Sequence, residues 1–378
     1  MEEKRSAMES MEMMHLFGGI YQGKKVLVTG HTGFKGSWLV SWLSQLGAEV
    51  HGIALDPPTE PNHISLLDQP VHTVILDITH KEEFEKAVLA IRPEIIFHLA
   101  AQPLVRLSYE KPYETYLSNV MGTVNVLDVA RQMDFLKAVV IITSDKCYDN
   151  QEWIWGYREN DPMGGRDPYS SSKGCAELVT AAFRNSYFHP DEYGKKHNTL
   201  IASARAGNVI GGGDWALDRI VPDLVKAAHS KSSVFIRYPN ATRPWQHVLD
   251  PLSGYLLLGW RLLEGKTEFA QGWNFGPEVS SNLPVIELAK MASSVWPDVH
   301  YEVGTTPQLH EAGALMLDST MAKKRLSWIP VWDFETTIKR TIGWYKDFYA
   351  DSTVQTNSDL LHFIQEAKEK SAIWSQQG

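Results

Sequence analysis

Three groups of residues in this chain have the types and spacing to do chemistry. Thr143-Ser144-Asp145-Lys146-Cys147-Tyr148 closes an apolar run and sets a hydroxyl, a carboxylate and an amine side by side. Tyr169 and Lys173 are four residues apart, so on a helix they share a face. A lysine close to a phenol favours the phenolate, which makes a base near neutral pH. The third group is Gly30-x-x-Gly33-x-x-Gly36. Glycines at such positions let the backbone turn tightly and approach a pyrophosphate, which then lies on the N–H groups of the following helix. Spacing alone is weak evidence, since Tyr21 and Lys25 match the Tyr/Lys pair with no chemistry around them.

The elements that must carry these groups alternate. Residues 25–29 read as a short buried strand, and 37–46 have apolar residues at helical spacing that stop at Gly47, a C′ glycine. Strand, glycine loop and helix together point to a dinucleotide, with Gly30, Thr32, Gly33, Phe34, Lys35 and Gly36 as its cradle. A second strand, 49–55, ends at Asp56, where a carboxylate can take the adenosine ribose hydroxyls and repel a 2′-phosphate. No Arg lies between Gly36 and Asp56, which favours NAD over NADP. A third strand, 71–76, ends at Asp77-Ile78, the expected adenine edge. Residues 82–91 read as a helix and 94–98 as a fourth strand running into Leu99-Ala100-Ala101-Gln102, small enough for close approach of a cofactor. Residues 113–133 read as one long helix with Asn119, Gly122 and Asn125 on roughly one face. The fifth strand, 138–142, has four β-branched residues in five and delivers Thr143 to Tyr148 at its end. Asn119 and Thr143 complete the expected cofactor contacts, with Tyr169 and Lys173 serving cofactor and catalysis together.

Alternation of this kind predicts an α/β fold, a Rossmann-type doubly wound parallel sheet covered on both faces. Ligands bind at the carboxyl ends of such strands, where Ser144, Asp145 and Lys146 fall. Residues 151–166, rich in Trp and Gly, read as too polar for core and as a mobile flap over the site. Asp167 and Pro168 are suited to start a helix that runs to about Tyr187. A sixth strand at 199–205 leads into the glycine-rich loop 206–213, after which the alternation weakens. Helices at 218–226, 252–263 and 336–348 and a strand at 272–275 are expected there. Arg219, Arg237 and the stretch Arg243-Pro-Trp-Gln-His247 supply basic groups suited to a substrate diphosphate, with Asn208 and Gln102 as further substrate contacts. The expected division is a disordered extension over 1–22 and an NAD-binding domain over 23–206 with returning segments near 247–280. A smaller, mainly C-terminal α/β substrate lobe and cap take 207–246 and 281–378.

Composition narrows the classes. A chain of 378 residues with 43% hydrophobic and 21% charged residues is that of a globular protein with a large core. A net charge of -9, with no basic run longer than Lys323-Lys324-Arg325, argues against nucleic acid. Two cysteines suggest a reducing compartment rather than a disulfide framework. No stretch reaches eighteen consecutive apolar residues, and the N-terminal segment lacks a signal core, so a cytoplasmic protein without a membrane partner is expected. No His/Cys cluster has metal-ligand spacing, and no metal is expected.

Thr29-Gly-x-x-Gly33-x-x-Gly36, Asp56, Asp77-Ile78, Tyr169-x-x-x-Lys173 and Arg205-x-Gly-Asn208 occur in this order. Together they resemble the extended short-chain dehydrogenase/reductase family over about 24–348. Thr143 to Tyr148, Gly30 to Trp38 and Arg243 to His247 resemble its nucleotide-sugar 4,6-dehydratases, and among them those acting on a CDP-linked hexose. The resemblance implies tightly held NAD, a homodimer or homotetramer, and deoxyhexose synthesis for bacterial surface polysaccharide. It implies C4 oxidation with Tyr169 as base, Lys173 beside it and Ser144 on the 4-oxygen, then loss of water across C5 and C6 with protonated Asp145 as acid, hydride return to C6 through the bound NAD and reprotonation of C5. These dehydratases generally carry Glu where this chain has Lys146, and that Glu is the C5 base. Lys146 takes the role only if it is substantially neutral; otherwise another group is the base. A nucleotide-sugar 4-epimerase, a dehydratase for another nucleotide sugar and, more distantly, a silent NAD-binding scaffold are the rival expectations.

Overall fold

The computed structural model describes residues 12–304 and 315–376. Six strands are numbered in chain order: β1 (Lys25–Thr29), β2 (Glu49–Ala54), β3 (His72–Ile75), β4 (Ile95–His98), β5 (Ala138–Ile142) and β6 (Leu200–Ala206). With Gly272–Phe275 they form one parallel sheet in the order Gly272–Phe275, β6, β5, β4, β1, β2, β3. The order reverses between β1 and β4, which opens a crevice at their carboxyl ends. The expected Rossmann-type sheet is present.

Helices cover both faces because the central strands are apolar on both. Val26 and Val28 of β1 face Trp38, Trp42 and the helix Leu249–Leu263, while Leu27 faces the other way, toward Phe84, Val88 and Val126. This period of two sorts every central strand between the two cores. β3 closes one edge and is solvent-exposed along its length, so its apolar reading marks an edge rather than a core strand. A third cluster joins Ile210, Trp215, Leu224, Trp245, Leu288, Ile338 and Trp344 and makes a core for the smaller lobe. That lobe carries two-stranded pairings the local pattern did not reveal, 233–236 with 300–303 and 242–244 with 282–284.

Several expectations change. The disordered extension over 1–22 fails for 12–22: Leu16, Phe17 and Tyr21 are buried, and Phe17 stacks on Trp374 with ring centroids 5.1 Å apart and planes at 10°. Residues 1–11 lie outside the described residues. The Tyr21 hydroxyl donates to Leu256 O at 2.6 Å, so both ends of the described chain pack under the sheet with Leu360 and Phe363. The long helix 113–133 is three successive pieces, Pro112–Tyr116, a π-turn at Leu117–Met121, and Gly122–Ala130. Segment 151–166 is less polar than its composition suggested. Tyr157 is buried, stacks on Tyr148 at 5.1 Å and pairs with Leu317, while Ile154 and Trp155 at its tip stay exposed.

Candidate active site

β1 delivers the chain to Gly30, whose φ of 74° lies in the left-handed region. A methyl there would lie 2.6 Å from Ala100 N, so Gly30 lets the first loop press against the loop after β4. A methyl at Gly36 would lie 2.2 Å from Gly30 O. The helix Phe34–Gln45 therefore rises directly off the loop, and its N-cap, Gly33, contributes no side-chain bond to the first-turn N–H groups. A glycine cradle under a helix N-terminus fits a dinucleotide pyrophosphate. Thr32 Oγ1 donates to Leu55 O at 2.9 Å and ties the loop to the end of β2, where Asp56 stands exposed. Ile78 is buried against Gly122, and Asn125 Nδ2 donates to Ile78 O at 2.9 Å, which fixes the Asp77-Ile78 turn.

The loop after β4 is held by the π-turn. Asn119 Oδ1 accepts from Gln102 N at 2.8 Å, and its Nδ2 donates to Gln102 O at 3.1 Å and to Ser172 Oγ at 2.8 Å. Asn119 thus clamps the loop carrying Ala100 and Ala101 to the helix that carries Tyr169, a use typical of π-bulges. The Gln102 amide donates to Leu104 O at 3.0 Å and Thr115 Oγ1 at 2.9 Å, and its oxygen accepts from Leu104 N. That side chain braces its own loop.

At the end of β5 the chain turns through a short 3-10 helix, Asp145–Cys147, capped by Ser144, whose Oγ accepts from Lys146 N at 3.2 Å. Ser144 Oγ donates to Asp145 Oδ1 at 2.9 Å, and the same side chain lies close enough to the Tyr169 phenol to lower it. Asp145 is buried, and among the described residues its Oδ2 has no hydrogen-bond partner. Burial raises its carboxyl above the ordinary range, against the opposing charges of Lys146, Lys35 and Arg243. Lys146 is partly buried beside it.

The helix Pro168–Tyr187 starts as expected, with Asp167 Oδ1 accepting from Ser170 N at 2.9 Å. Tyr169 and Lys173 lie on its buried face. Burial raises the Tyr169 phenol to about 12, although the Ser144 bond and the Arg219 charge lower it. Burial also lowers the Lys173 amine to about 8. The depressed phenol expected from the Lys173 neighbour is thus corrected: sealed from water, both groups are pushed toward their neutral forms. Lys35 behaves alike, lowered to about 8 by burial and by the charges of Arg219 and Lys173, while Asp145 and Asp214 oppose. It reaches from the glycine loop into the electrostatic surroundings of Asp145.

Arg219 pairs with Asp214 at 2.7 Å and Arg243 is buried, its Nη1 donating to Thr242 O at 2.9 Å. Both act on this centre. Arg237 pairs with Asp218 at 3.8 Å, which also holds Arg106 at 2.8 Å. Asn208 joins the loop by its carbonyl, which accepts from Gln246 N at 3.1 Å. The expectation of a basic group at His247 is corrected. It is fully buried between Trp38 and Trp332, at ring distances of 5.7 and 4.6 Å, and burial lowers it to about 3. Cys147 is buried and its thiol pushed up, a packing residue rather than a nucleophile.

Two constellations escaped the sequence reading. Glu177, four residues beyond Lys173, is buried and bonded to Thr143, Ser203 and Arg205; an acid on an otherwise small or apolar face was the available signal. On the far edge of the sheet, Glu49, His51 and His72 have donor atoms within 4.8 Å of one another, which corrects the absence of any metal-ligand grouping. They come together only through the pairing of β2 with β3, and Glu49 is already engaged by His51 at 2.9 Å and Lys25 at 3.5 Å.

Comparison with known proteins gives consistent matches. The family described as GDP-mannose 4,6 dehydratase matches residues 27–341. A curated CDP-glucose 4,6-dehydratase of Salmonella typhimurium is 51% identical over 86% of this chain and 91% of that protein. Among solved structures, the epimerase Mth375 of Methanothermobacter thermautotrophicus superposes with a TM-score of 0.77 at 24% identity, covering 91% of this chain and 96% of that one. The dTDP-glucose 4,6-dehydratase of Bacillus anthracis, solved in complex with NAD, gives 0.68 at 22% identity, covering 86% and 97%.

Proposed function

The chain belongs to the GDP-mannose 4,6-dehydratase family, and we propose that it converts CDP-D-glucose to CDP-4-keto-6-deoxy-D-glucose and water. The observation that carries this is Asp145: a carboxyl raised by burial and bonded to Ser144, whose hydroxyl also neighbours the Tyr169 phenol. An epimerase needs Ser144, Tyr169 and Lys173 but has no use for a buried carboxyl with a raised proton affinity at that point. Cytidine as the base, and glucose as the sugar, come from the 51% identical relative.

The cofactor is NAD, and the residues present fit it: Gly30 and Gly36 make the cradle, the helix from Phe34 faces the pyrophosphate, and Asp56 takes the ribose. NAD bound there would supply the acceptor for the C4 hydride, the return of that hydride to C6 once water has left, and a positive ring that favours the Tyr169 phenolate. Tyr169 takes the 4-hydroxyl proton while Ser144 holds the same oxygen. Lys173, charged, sits one helical turn below the phenol. Once C4 is a ketone, the C5 hydrogen is acidic. Asp145 then protonates the departing 6-hydroxyl. The family reading places the C5 base at Lys146 on condition that its amine is neutral. That base takes the C5 proton, and a proton returns to C5 after C6 has received its hydride. Lys35, the amine lowered to about 8, is the alternative base. If K146A still exchanges the C5 hydrogen with solvent deuterium at the wild-type rate and K35A does not, the role passes to Lys35.

Arg219, Arg243, Arg237 and Asn208 bind the diphosphate side of the substrate. Self-association fits the large apolar side chains left exposed on neighbouring helices, Tyr109, Tyr113, Met121 and Leu178. Among the described residues no helix is long and apolar enough to cross a membrane. A cytoplasmic homo-oligomer making deoxyhexose for surface polysaccharide completes the proposal.

The test is to offer CDP-, dTDP-, UDP- and GDP-glucose separately. The CDP sugar should turn over with a kcat/KM at least ~100-fold above the others, by analogy with discrimination at hydrogen-bonded polar sites. Equal turnover of all four would remove the cytidine assignment.

A further inference from the structure

Glu177 ties the two halves of the centre together. Its Oε1 accepts from Thr143 Oγ1 at 2.5 Å, on the residue before Ser144. Its Oε2 accepts from Ser203 Oγ at 2.6 Å and Arg205 Nη2 at 2.8 Å. It is 4% exposed and lies one helical turn beyond Lys173, so Tyr169, Lys173 and Glu177 line the buried face of one helix at intervals of four. Arg205 extends the network. Its Nη1 donates to the Tyr148 hydroxyl at 2.6 Å and to Glu159 O at 3.0 Å, and Tyr148 donates to Asn274 Oδ1 at 2.7 Å. The turn after β5, the segment around Glu159, and strands β6 and Gly272–Phe275 are thereby bound to one ion pair.

A buried ion pair of this kind is weak evidence for stability, because desolvation of both charges offsets their attraction. Resting on the dehydratase reading above, we propose that Glu177 is a positioning residue for catalysis: its carboxylate fixes Thr143, and with it the Ser144-Asp145 turn, and supplies the negative charge that keeps Lys173 protonated. Burial alone would raise Glu177, but the Arg205 ion pair and the bonds from Ser203 and Thr143 hold it below the usual carboxylate range. The groups facing Lys173 are Tyr169 and Glu177 on its own helix, Cys147 from the β5 turn, Lys35 from the glycine-loop helix and His98 from β4. Burial depresses the amine, and Cys147 and Glu177 are the groups that oppose it. His98 is buried and lowered to about 3, hence neutral. Lys35 repels Lys173, which leaves Glu177 as the fixed anion.

The experiment is the pH profile of kcat for wild type, E177Q and T143V with CDP-glucose, alongside an NMR titration of the Lys173 side-chain amine. In wild type, activity should fall as pH rises through about 8, where Lys173 loses its proton. E177Q removes the opposing anion, so both the alkaline limb and the NMR midpoint should move down by about one pH unit. T143V keeps the charge and frees the turn, so kcat should drop about tenfold with the limb in place. E177Q/R205M leaves no unpaired buried guanidinium and carries the same expectation as E177Q if that variant fails to fold. A folded Glu177 variant whose limb and NMR midpoint match wild type overturns the proposal. A wild type that does not dehydrate CDP-glucose, with an NMR midpoint still shifted in E177Q, fails the functional reading and leaves standing only the charge coupling of Glu177 to Lys173.

Discussion

The Ser144 hydroxyl lies 2.9 Å from Asp145 Oδ1, while Asp145 Oδ2 is buried without a hydrogen-bond partner among the described residues. One side chain thus reaches both the phenol that handles the 4-hydroxyl and the carboxyl that handles the 6-hydroxyl. D145N keeps the shape and the Ser144 contact but cannot release a proton. Water loss should fall by about 10²–10⁴ while C5 hydrogen exchange with solvent persists. Y169F should abolish both, because no ketone forms to acidify C5. Mass spectrometry of product and recovered substrate in deuterated buffer reads both quantities.

Asp145 also makes a stability prediction. Its folded-state value is raised above the ordinary 3.8 by burial. A raised carboxyl binds its proton more tightly in the fold, so its contribution favours folding at low pH. That contribution is lost as pH climbs from the unfolded value through the folded one. D145N removes the penalty of a buried carboxylate. Its melting temperature at pH 7 should exceed wild type by roughly 1–3 °C, with the difference closing below pH 4. A D145N that melts below wild type at pH 7 would contradict the raised carboxyl.

Local pattern made much of the fold legible and little of its closure. β1, β5 and the strand Gly272–Phe275 match their expected limits because apolar β-branched or aromatic runs end at clear punctuation. The helix at Pro168 is marked by its Asp167 cap. What escaped depends on partners far off in sequence: Phe17 against Trp374, His51 beside His72, 233–236 beside 300–303. The same holds for the site. Ser144, Asp145, Tyr169 and Lys173 were readable because strand end and helix start are local features. His247 was misjudged because only the folded chain shows Trp38 and Trp332 closing over it.

The glycine loop gives a matched pair of substitutions. G36A forces a methyl to 2.2 Å from Gly30 O, and that contact is backbone that cannot yield cheaply. NAD affinity should fall at least ~10-fold by calorimetry, about 1.4 kcal/mol or more. G343A, in the helix Phe334–Asp351, meets nothing within 4 Å and has no positive φ. It should leave NAD binding unchanged and stabilise the fold by roughly 0.5–1 kcal/mol.

The N-terminal segment is testable in the same way. Phe17 is fully buried among Tyr21, Trp42, Trp260 and Trp374. F17A should cost about 3–5 kcal/mol in denaturant unfolding, as large-to-small changes in a packed core do. A loss below ~1 kcal/mol would return residues 12–22 to a dispensable extension.

The most direct test is incubation with CDP-glucose in deuterated water, followed by the mass and proton spectrum of the product. The account predicts a CDP-sugar lighter than substrate by one water and carrying one solvent deuterium, at C5. A product of unchanged mass, or one that has lost water without solvent deuterium at C5, would contradict it.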